Sequence, residues 1–208
     1  MTKKTIENLI DTLIKEYPEA ECSLDFRNPL ELLIAVILSA QSTDAMINKI
    51  TPALFNRYPT AQDFANADIK ELEQYVKSSG FYHNKAKNIK NACIKLVELY
   101  DGNVPKTMEE LTALPGVGRK TANVVMLNAF NKCEGIAVDT HAKRLSNRIG
   151  FSSKEEPLKI EQDLLELLPK KYWSYMNHLF VYHGRSTCTA RNPKCEECCI
   201  REYCKKAI

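Results

Sequence analysis

Apolar residues along this 208-residue chain recur at helical spacing, and no stretch alternates convincingly at period two. An all-α fold is therefore predicted. Ile6, Leu9, Ile10, Leu13, Ile14 and Tyr17 fall on one helical face, and Pro18 ends the run. Asn28 stands as the cap of a second helix, with Pro29 at its first position and Glu31 in capping-box register. From Leu32 to Leu38 that helix is apolar on every side, which predicts a buried central element. Further helices are expected at about 44–57, 61–67, 69–77 and 84–100, with Asp68 and Glu71 spaced as a capping box and Asp101-Gly102 closing the last. A short helix opens at Thr107, ends near Leu114 and is followed, beyond Gly118, by another. Then come Asp139 to Ile149 closed by Gly150, a helix opened by Ser153 and Glu156, and Tyr172 to His183 closed by Gly184.

Length and a hydrophobic fraction of 44% allow a full core in one domain or two small ones. The net charge of only +3 is unevenly placed. Residues 77–95 carry Lys77, Lys85, Lys87, Lys90 and Lys95 with no acid, and residues 119–148 carry Arg119, Lys120, Lys132, Lys143, Arg144 and Arg148 against Glu134 and Asp139. Such asymmetry suits a polyanion laid across one surface, although any single lysine run also serves to solvate a helix face. The N-terminal stretch lacks an apolar signal core, and the run Leu32 to Leu38 is too short to span a bilayer. A soluble, cytoplasmic, nucleoid-associated protein with no membrane partner is expected.

The turn Leu114-Pro115-Gly116-Val117-Gly118-Arg119 joins two helices and delivers Lys120 at the start of the second. Two glycines let the backbone turn sharply and bring its N–H groups close to an anion. The helix N-terminus adds positive potential, which makes the neutral, nucleophilic form of a lysine less costly to populate. Asp139, in Val138-Asp139-Thr140-His141, follows nineteen residues later. It sits where a helix N-cap belongs, a role compatible with chemistry. His141 is expected to be a buried structural histidine, because side chains two apart on a helix do not face each other.

Cysteines supply the second signal. Cys22, Cys93 and Cys133 are scattered as small core residues, while Cys188, Cys195, Cys198 and Cys204 form a C-x6-C-x2-C-x5-C pattern. Four thiolates so close in sequence can converge on one centre, either tetrahedral zinc or a cubane iron–sulfur cluster. Cys199 could replace Cys198 by a slip of one residue.

Hairpin, Lys120, the Asp139 motif and the cysteine loop, together with Glu31-Leu32-Leu33-Ile34-Ala35-Val36 and Leu38-Ser39-Ala40-Gln41, resemble the endonuclease III family of DNA glycosylases over nearly the whole chain. The resemblance implies a two-lobed helix-hairpin-helix fold. One lobe is a six-helix barrel over about 22–133 with the hairpin element at about 107–131; the other combines 1–21 with 134–208 around a C-terminal [4Fe-4S] cluster on Cys188, Cys195, Cys198 and Cys204. It further implies a monomer acting in base-excision repair on double-stranded DNA with oxidised pyrimidines or abasic sites. Lys120 and Asp139 would be catalytic, with Lys120 forming a Schiff base before β-elimination. Gly116, Val117, Gly118 and Arg119 would grip a phosphate. Gln41 would fill the gap left by an extruded nucleotide, and the loop Ser79-Gly80-Phe81-Tyr82 would wedge the opposite strand. Enterobacterial members carry aliphatic residues at Ser79 and Phe81, and an aromatic Phe81 can stack on a base in compensation, or else serve as core. Arg191 and Lys194, between the first two cluster cysteines, could contact phosphates or simply be solvated.

Two other readings compete. A monofunctional relative that removes mismatched adenine uses the same carboxylate with water, but lacks the lysine after the hairpin and carries a further C-terminal domain. A non-catalytic DNA-binding module with a structural metal would bind lesion and undamaged duplex equally and cut neither.

Overall fold

The computed structural model describes residues 1–206. The chain runs through α1 (Lys3–Glu16), α2 (Pro29–Ser39), α3 (Asp44–Arg57), α4 (Ala61–Asn66), α5 (Ile69–Val76), α6 (Tyr82–Tyr100), α7 (Met108–Thr112), α8 (Arg119–Phe130), α9 (Thr140–Ile149), α10 (Pro157–Leu167) and α11 (Trp173–Ser186). Single 3-10 turns lie at Lys77–Ser79, Lys170–Tyr172, Cys195–Glu197 and Arg201–Tyr203. No strand occurs among the described residues, and none of their helices is long and apolar enough to cross a membrane.

Two compact units result, one from Cys22–Lys132 and one that combines Met1–Glu21 with the chain from Cys133 onward. In the first unit α2 is the axis: every residue from Glu31 to Leu38 is buried, and the helix packs against α3, α6 and α8. Phe64, Ile89, Leu96, Leu111, Val125 and Met126 complete that core. In the second, Ile6, Leu9, Ile10 and Leu13 of α1 pack with Leu145 and Ile149 of α9, Leu164 of α10, and Met176 and Phe180 of α11. Tyr172 ties this unit further by donating to Asp11 on α1 at 2.8 Å.

Local hydrogen bonding explains most of the boundaries. Thr2, Asn28, Thr43, Thr60, Asp68, Thr107 and Asp139 each cap a helix by accepting from a backbone N–H two or three residues into it. Thr60 and Asp63 close a full capping box. Glu31 behaves differently from its capping register: its carboxylate turns to the Arg27 backbone N–H at 2.7 Å and to the Arg27 guanidinium at 2.6 Å.

Three expected boundaries move. Ser153 does not open α10, whose N-cap is Glu156 with Pro157 at the first position and no side-chain bond. Helix α6 begins at Tyr82, because Phe81 takes a left-handed conformation that starts the helix early. Gly184 lies inside α11 instead of closing it. A Cβ at Gly184 would stand 2.8 Å from both Arg144 Nη2 and His141 Cδ2, so glycine serves close approach by α9 there and not termination.

The basic run in 77–95 is also used differently. Lys85 is buried, and Lys90 and Lys95 donate to the carbonyls of Ala67 at 2.6 Å and Ala113 at 2.9 Å. Part of the charge that resembled a polyanion-binding stripe therefore secures loops, since a helix C-terminal carbonyl is a ready acceptor for an ammonium.

With Leu33 fully buried at the centre of the first core, Leu33→Ala should cost about 3 kcal/mol from lost transfer energy and the cavity left behind. Chemical denaturation followed by circular dichroism measures this; a loss below about 1 kcal/mol would show that α2 is not the packing axis.

Candidate active site and cysteine loop

Leu114 and Val117 are buried in the first core, and this anchors the turn between α7 and α8 from below. Above them Gly116 adopts φ +77°, and a Cβ there would lie 2.9 Å from Asn88 Cβ, so two reasons require glycine. Gly118 is the N-cap of α8 and supplies no side-chain acceptor. The N-cap of α8 thus offers no side-chain acceptor of the kind that seven other helices have, which suits an anion supplied from outside. Gly116, Gly118, Arg119 and Lys120 are all exposed.

Two further segments of the same unit carry unusual backbone. Gln41, just beyond α2, and Phe81, just before α6, are exposed non-glycine residues at φ 54° and φ 48°. Phe81 is 68% exposed, so it is not core.

In the other unit Asp139 caps α9: one carboxylate oxygen accepts from the Ala142 backbone N–H at 2.8 Å. The other lies 3.3 Å from His141 Nδ1. The expectation that His141 would face away from Asp139 is corrected here. Asp139 sits at φ −100°, ψ −170°, outside the helix, so the rule for two residues within a helix does not apply. His141 is half-buried, and the contact orients the carboxylate.

The cysteine-rich segment wraps onto α9 and α11. Arg144 donates to the carbonyls of Gly184 at 2.9 Å and Cys188 at 3.2 Å. Arg148 donates to the carbonyls of Thr189 at 2.7 Å and Ala190 at 2.9 Å, and its guanidinium is 3.3 Å from Cys188 Sγ. These two arginines, counted from sequence among candidate polyanion-binding charges, are internal fasteners. Sequence reasoning missed them; their i, i+4 spacing on α9 was the available signal.

Cys188, Cys195, Cys198 and Cys204 are half-buried free thiols that line one cavity of about 480 Å³ with Arg148, His183, Arg191 and Lys194. Burial and the charges of the neighbouring thiols push Cys198 and Cys204 above the ordinary thiol range, the mark of groups crowded around a common space. Among the described residues no three His, Cys, Asp or Glu side chains converge on a point that would hold a single ion. Thiols around a volume, with cations at hand to offset their charge, fit a multi-atom cluster better than one tetrahedral ion. Cys199 is not among the residues that line this cavity; like Cys188 and Cys198 it packs against the hydrophobic core, and burial pushes its thiol up to about 11.

His183 is buried at the cavity wall, with Nε2 3.5 Å from Cys198 Sγ and Nδ1 2.9 Å from the Tyr17 hydroxyl. Burial pushes its imidazole down to about 4, so it is neutral. If Cys198 is a thiolate it can only accept; Nε2 then carries the proton, and Tyr17 donates to Nδ1.

A sequence profile of the HhH-GPD superfamily base excision DNA repair proteins matches residues 34–170. A second profile, for the iron-sulfur binding domain of endonuclease III, matches residues 188–204. Fold and motifs together define a helix-hairpin-helix base-excision repair protein. Among known proteins, the endonuclease III of Synechocystis is 50% identical over 205 residues, covering 99% of this chain and 94% of the relative. That of Bacillus subtilis is 44% identical over 204 residues, covering 98% and 93%. A solved trapped endonuclease III–DNA covalent intermediate superposes with a TM-score of 0.94 at 45% identity, covering 100% of this chain and 97% of the other. The chain belongs to the endonuclease III family. It is a DNA glycosylase with abasic-site lyase activity, it acts in base-excision repair, and its cofactor is a [4Fe-4S] cluster.

His183→Phe keeps an aromatic ring at the cavity wall while deleting the bonds to Cys198 and Tyr17. The purified protein should lose its broad visible absorbance and its iron several-fold faster in air than the unaltered protein, in keeping with the roughly tenfold cost of losing an outer-shell partner. Equal rates of bleaching would show that the imidazole does not support this thiolate.

Proposed function

We propose that the enzyme removes oxidised pyrimidines from double-stranded DNA and nicks the resulting site through a Schiff base on Lys120. In the first step the neutral Nζ attacks C1′ of the damaged nucleotide. The Nζ–C1′ bond forms as the C1′–N glycosidic bond breaks, and the base leaves with the bonding pair and takes up a proton. Loss of one proton from the resulting Nζ ammonium, followed by cleavage of the C1′–O4′ bond with O4′ taking up a proton, gives the protonated Schiff base. Removal of a proton from C2′ then expels the 3′ phosphate by β-elimination. Asp139 would assist removal of the proton from Nζ or stabilise the positive charge that develops on the sugar. The bond from His141 and the cap bond to Ala142 leave that carboxylate in one orientation.

The remaining assignments follow the same logic. Gly116, Val117, Gly118 and Arg119 would hold a backbone phosphate at the start of α8. Extruding the lesion costs a few kcal/mol, and Gln41 and Phe81 would offset this by filling the gap and stacking against the opposite strand. Arg191 and Lys194, exposed at the mouth of the cysteine cavity, would meet further phosphates. Cys188, Cys195, Cys198 and Cys204 would hold the cluster. Bound there, the cluster supplies order to its loop, which is sufficient to place those two cations.

The observation that carries this reading is the 0.94 TM-score to a trapped covalent endonuclease III–DNA intermediate with an estranged adenine. It supports a covalent enzyme–DNA intermediate and an adenine separated from its partner. Lys120 is the candidate amine because it is exposed at the exit of the glycine turn.

Borohydride trapping on thymine-glycol duplex tests the proposal. Lys120→Gln should give no trapped species. Asp139→Asn, which retains a good helix cap, should slow trapping by about a hundredfold without loss of fold. Wild-type trapping by Lys120→Gln would overturn the mechanism, and equal action on damaged and undamaged duplex would overturn the substrate class.

A further inference from the structure

Lys85 is the buried cation of the first unit, 5% exposed on the first turn of α6. Its ammonium donates to the Leu38 carbonyl at 2.7 Å and to the Ser79 carbonyl at 2.6 Å. Leu38 lies in the last turn of α2 and Ser79 ends the 3-10 turn after α5, so both acceptors are carbonyls at helix C-termini, where a cation is favoured. Three residues beyond Leu38 stands Gln41, and two residues beyond Ser79 stands Phe81. Both are exposed and held in left-handed backbone that non-glycine residues rarely adopt. Ser79 is itself fixed by donating its hydroxyl to the Val76 carbonyl at 2.7 Å. Two strained turns from distant parts of the sequence therefore share one fastener.

We propose that Lys85 is a positioning residue that locks the Gln41 and Phe81 turns to each other, so that both side chains enter a damaged duplex as one rigid unit. The inference rests on the reading that these two residues insert into DNA. An ammonium suits the task because it is compact and presents three donors to carbonyls that approach from different elements. A site needed only for packing would be filled more cheaply by an apolar chain, since burying a cation without a carboxylate carries a desolvation cost. Burial lowers the pKa of Lys85 accordingly. Direct contact with substrate is not implied, as the ammonium is enclosed.

Lys85→Met and Lys85→Arg separate this role from general stability. The readout is the rate of borohydride trapping on an abasic site in duplex and on the same site in a single strand, which has no opposite strand to wedge. Lys85→Met should trap about tenfold to a hundredfold more slowly on duplex, the upper figure being the cost of misplacing reacting groups by about an ångström, while the single-strand rate stays within about twofold. Hydrogen exchange at residues 39–42 and 79–82 should rise together. Equal losses on both substrates, or no loss on duplex, would overturn the proposal. Should Lys85→Met not fold, exchange in Lys85→Arg decides: a rise at both turns supports the shared fastener, and a rise at one or neither refutes it. Gln41→Ala and Phe81→Ala control for the underlying reading. If those variants trap on duplex at the unaltered rate, insertion is refuted, and with it the proposed consequence of the fastener, whereas coupled exchange at the two turns stands as a separate result.

Discussion

The second unit is indexed to one helix, α9. Its N-cap is Asp139, and the bond from the Ala142 amide fixes where the helix begins and how it is rotated. From that start, Arg144 and Arg148 project one turn apart toward the cysteine segment, and His141 and Arg144 lie against Gly184 of α11. A carboxylate proposed to work on DNA and the cations that gather the thiols are thereby set by a single helical phase. Any change that rotates α9 must disturb both together, which explains why a glycine is tolerated inside α11: without it the two helices could not come close enough to share these contacts.

Several ionisable groups in the interior are held by partners that restrict their geometry, whereas the Tyr58 and Ser146 hydroxyls are buried without a hydrogen-bond partner among the described residues. Glu31 is held by Arg27, Glu161 accepts from the Ile136 amide at 3.3 Å, His183 lies between Tyr17 and Cys198, and Lys85 bridges two carbonyls. Buried polar groups left without partners are costly, and once partnered they fix a single arrangement better than apolar contacts do. The arrangements fixed by His183 and Lys85 lie beside segments to which binding or chemistry is assigned.

Much of this was legible in the amino-acid order. Helical periodicity, the caps at Asn28, Asp68 and Thr107, the left-handed stop at Gly150 and the apolar run of α2 are local features, and local physics places them. The hairpin glycines and the spacing of four cysteines are legible for the same reason. What was not legible depends on contacts distant in sequence. Gly184 reads as a helix stop until α9 is laid against it. Lys85 reads as one more surface charge until the ends of α2 and the 3-10 turn are brought to it, and Arg144 and Arg148 read as free cations until the cysteine segment folds over them. His141 was misjudged for a local reason, because a cap residue does not obey helical geometry.

The division of the chain between the two units has a consequence for biogenesis. Residues 22–132 form a continuous stretch with their own core, whereas α1 packs with elements that follow residue 133. During translation the central unit can collapse as it leaves the ribosome, but α1 must keep its apolar face waiting until α9, α10 and α11 have emerged. The apolar face of α1 is thus the longest-exposed hydrophobic surface of the nascent chain.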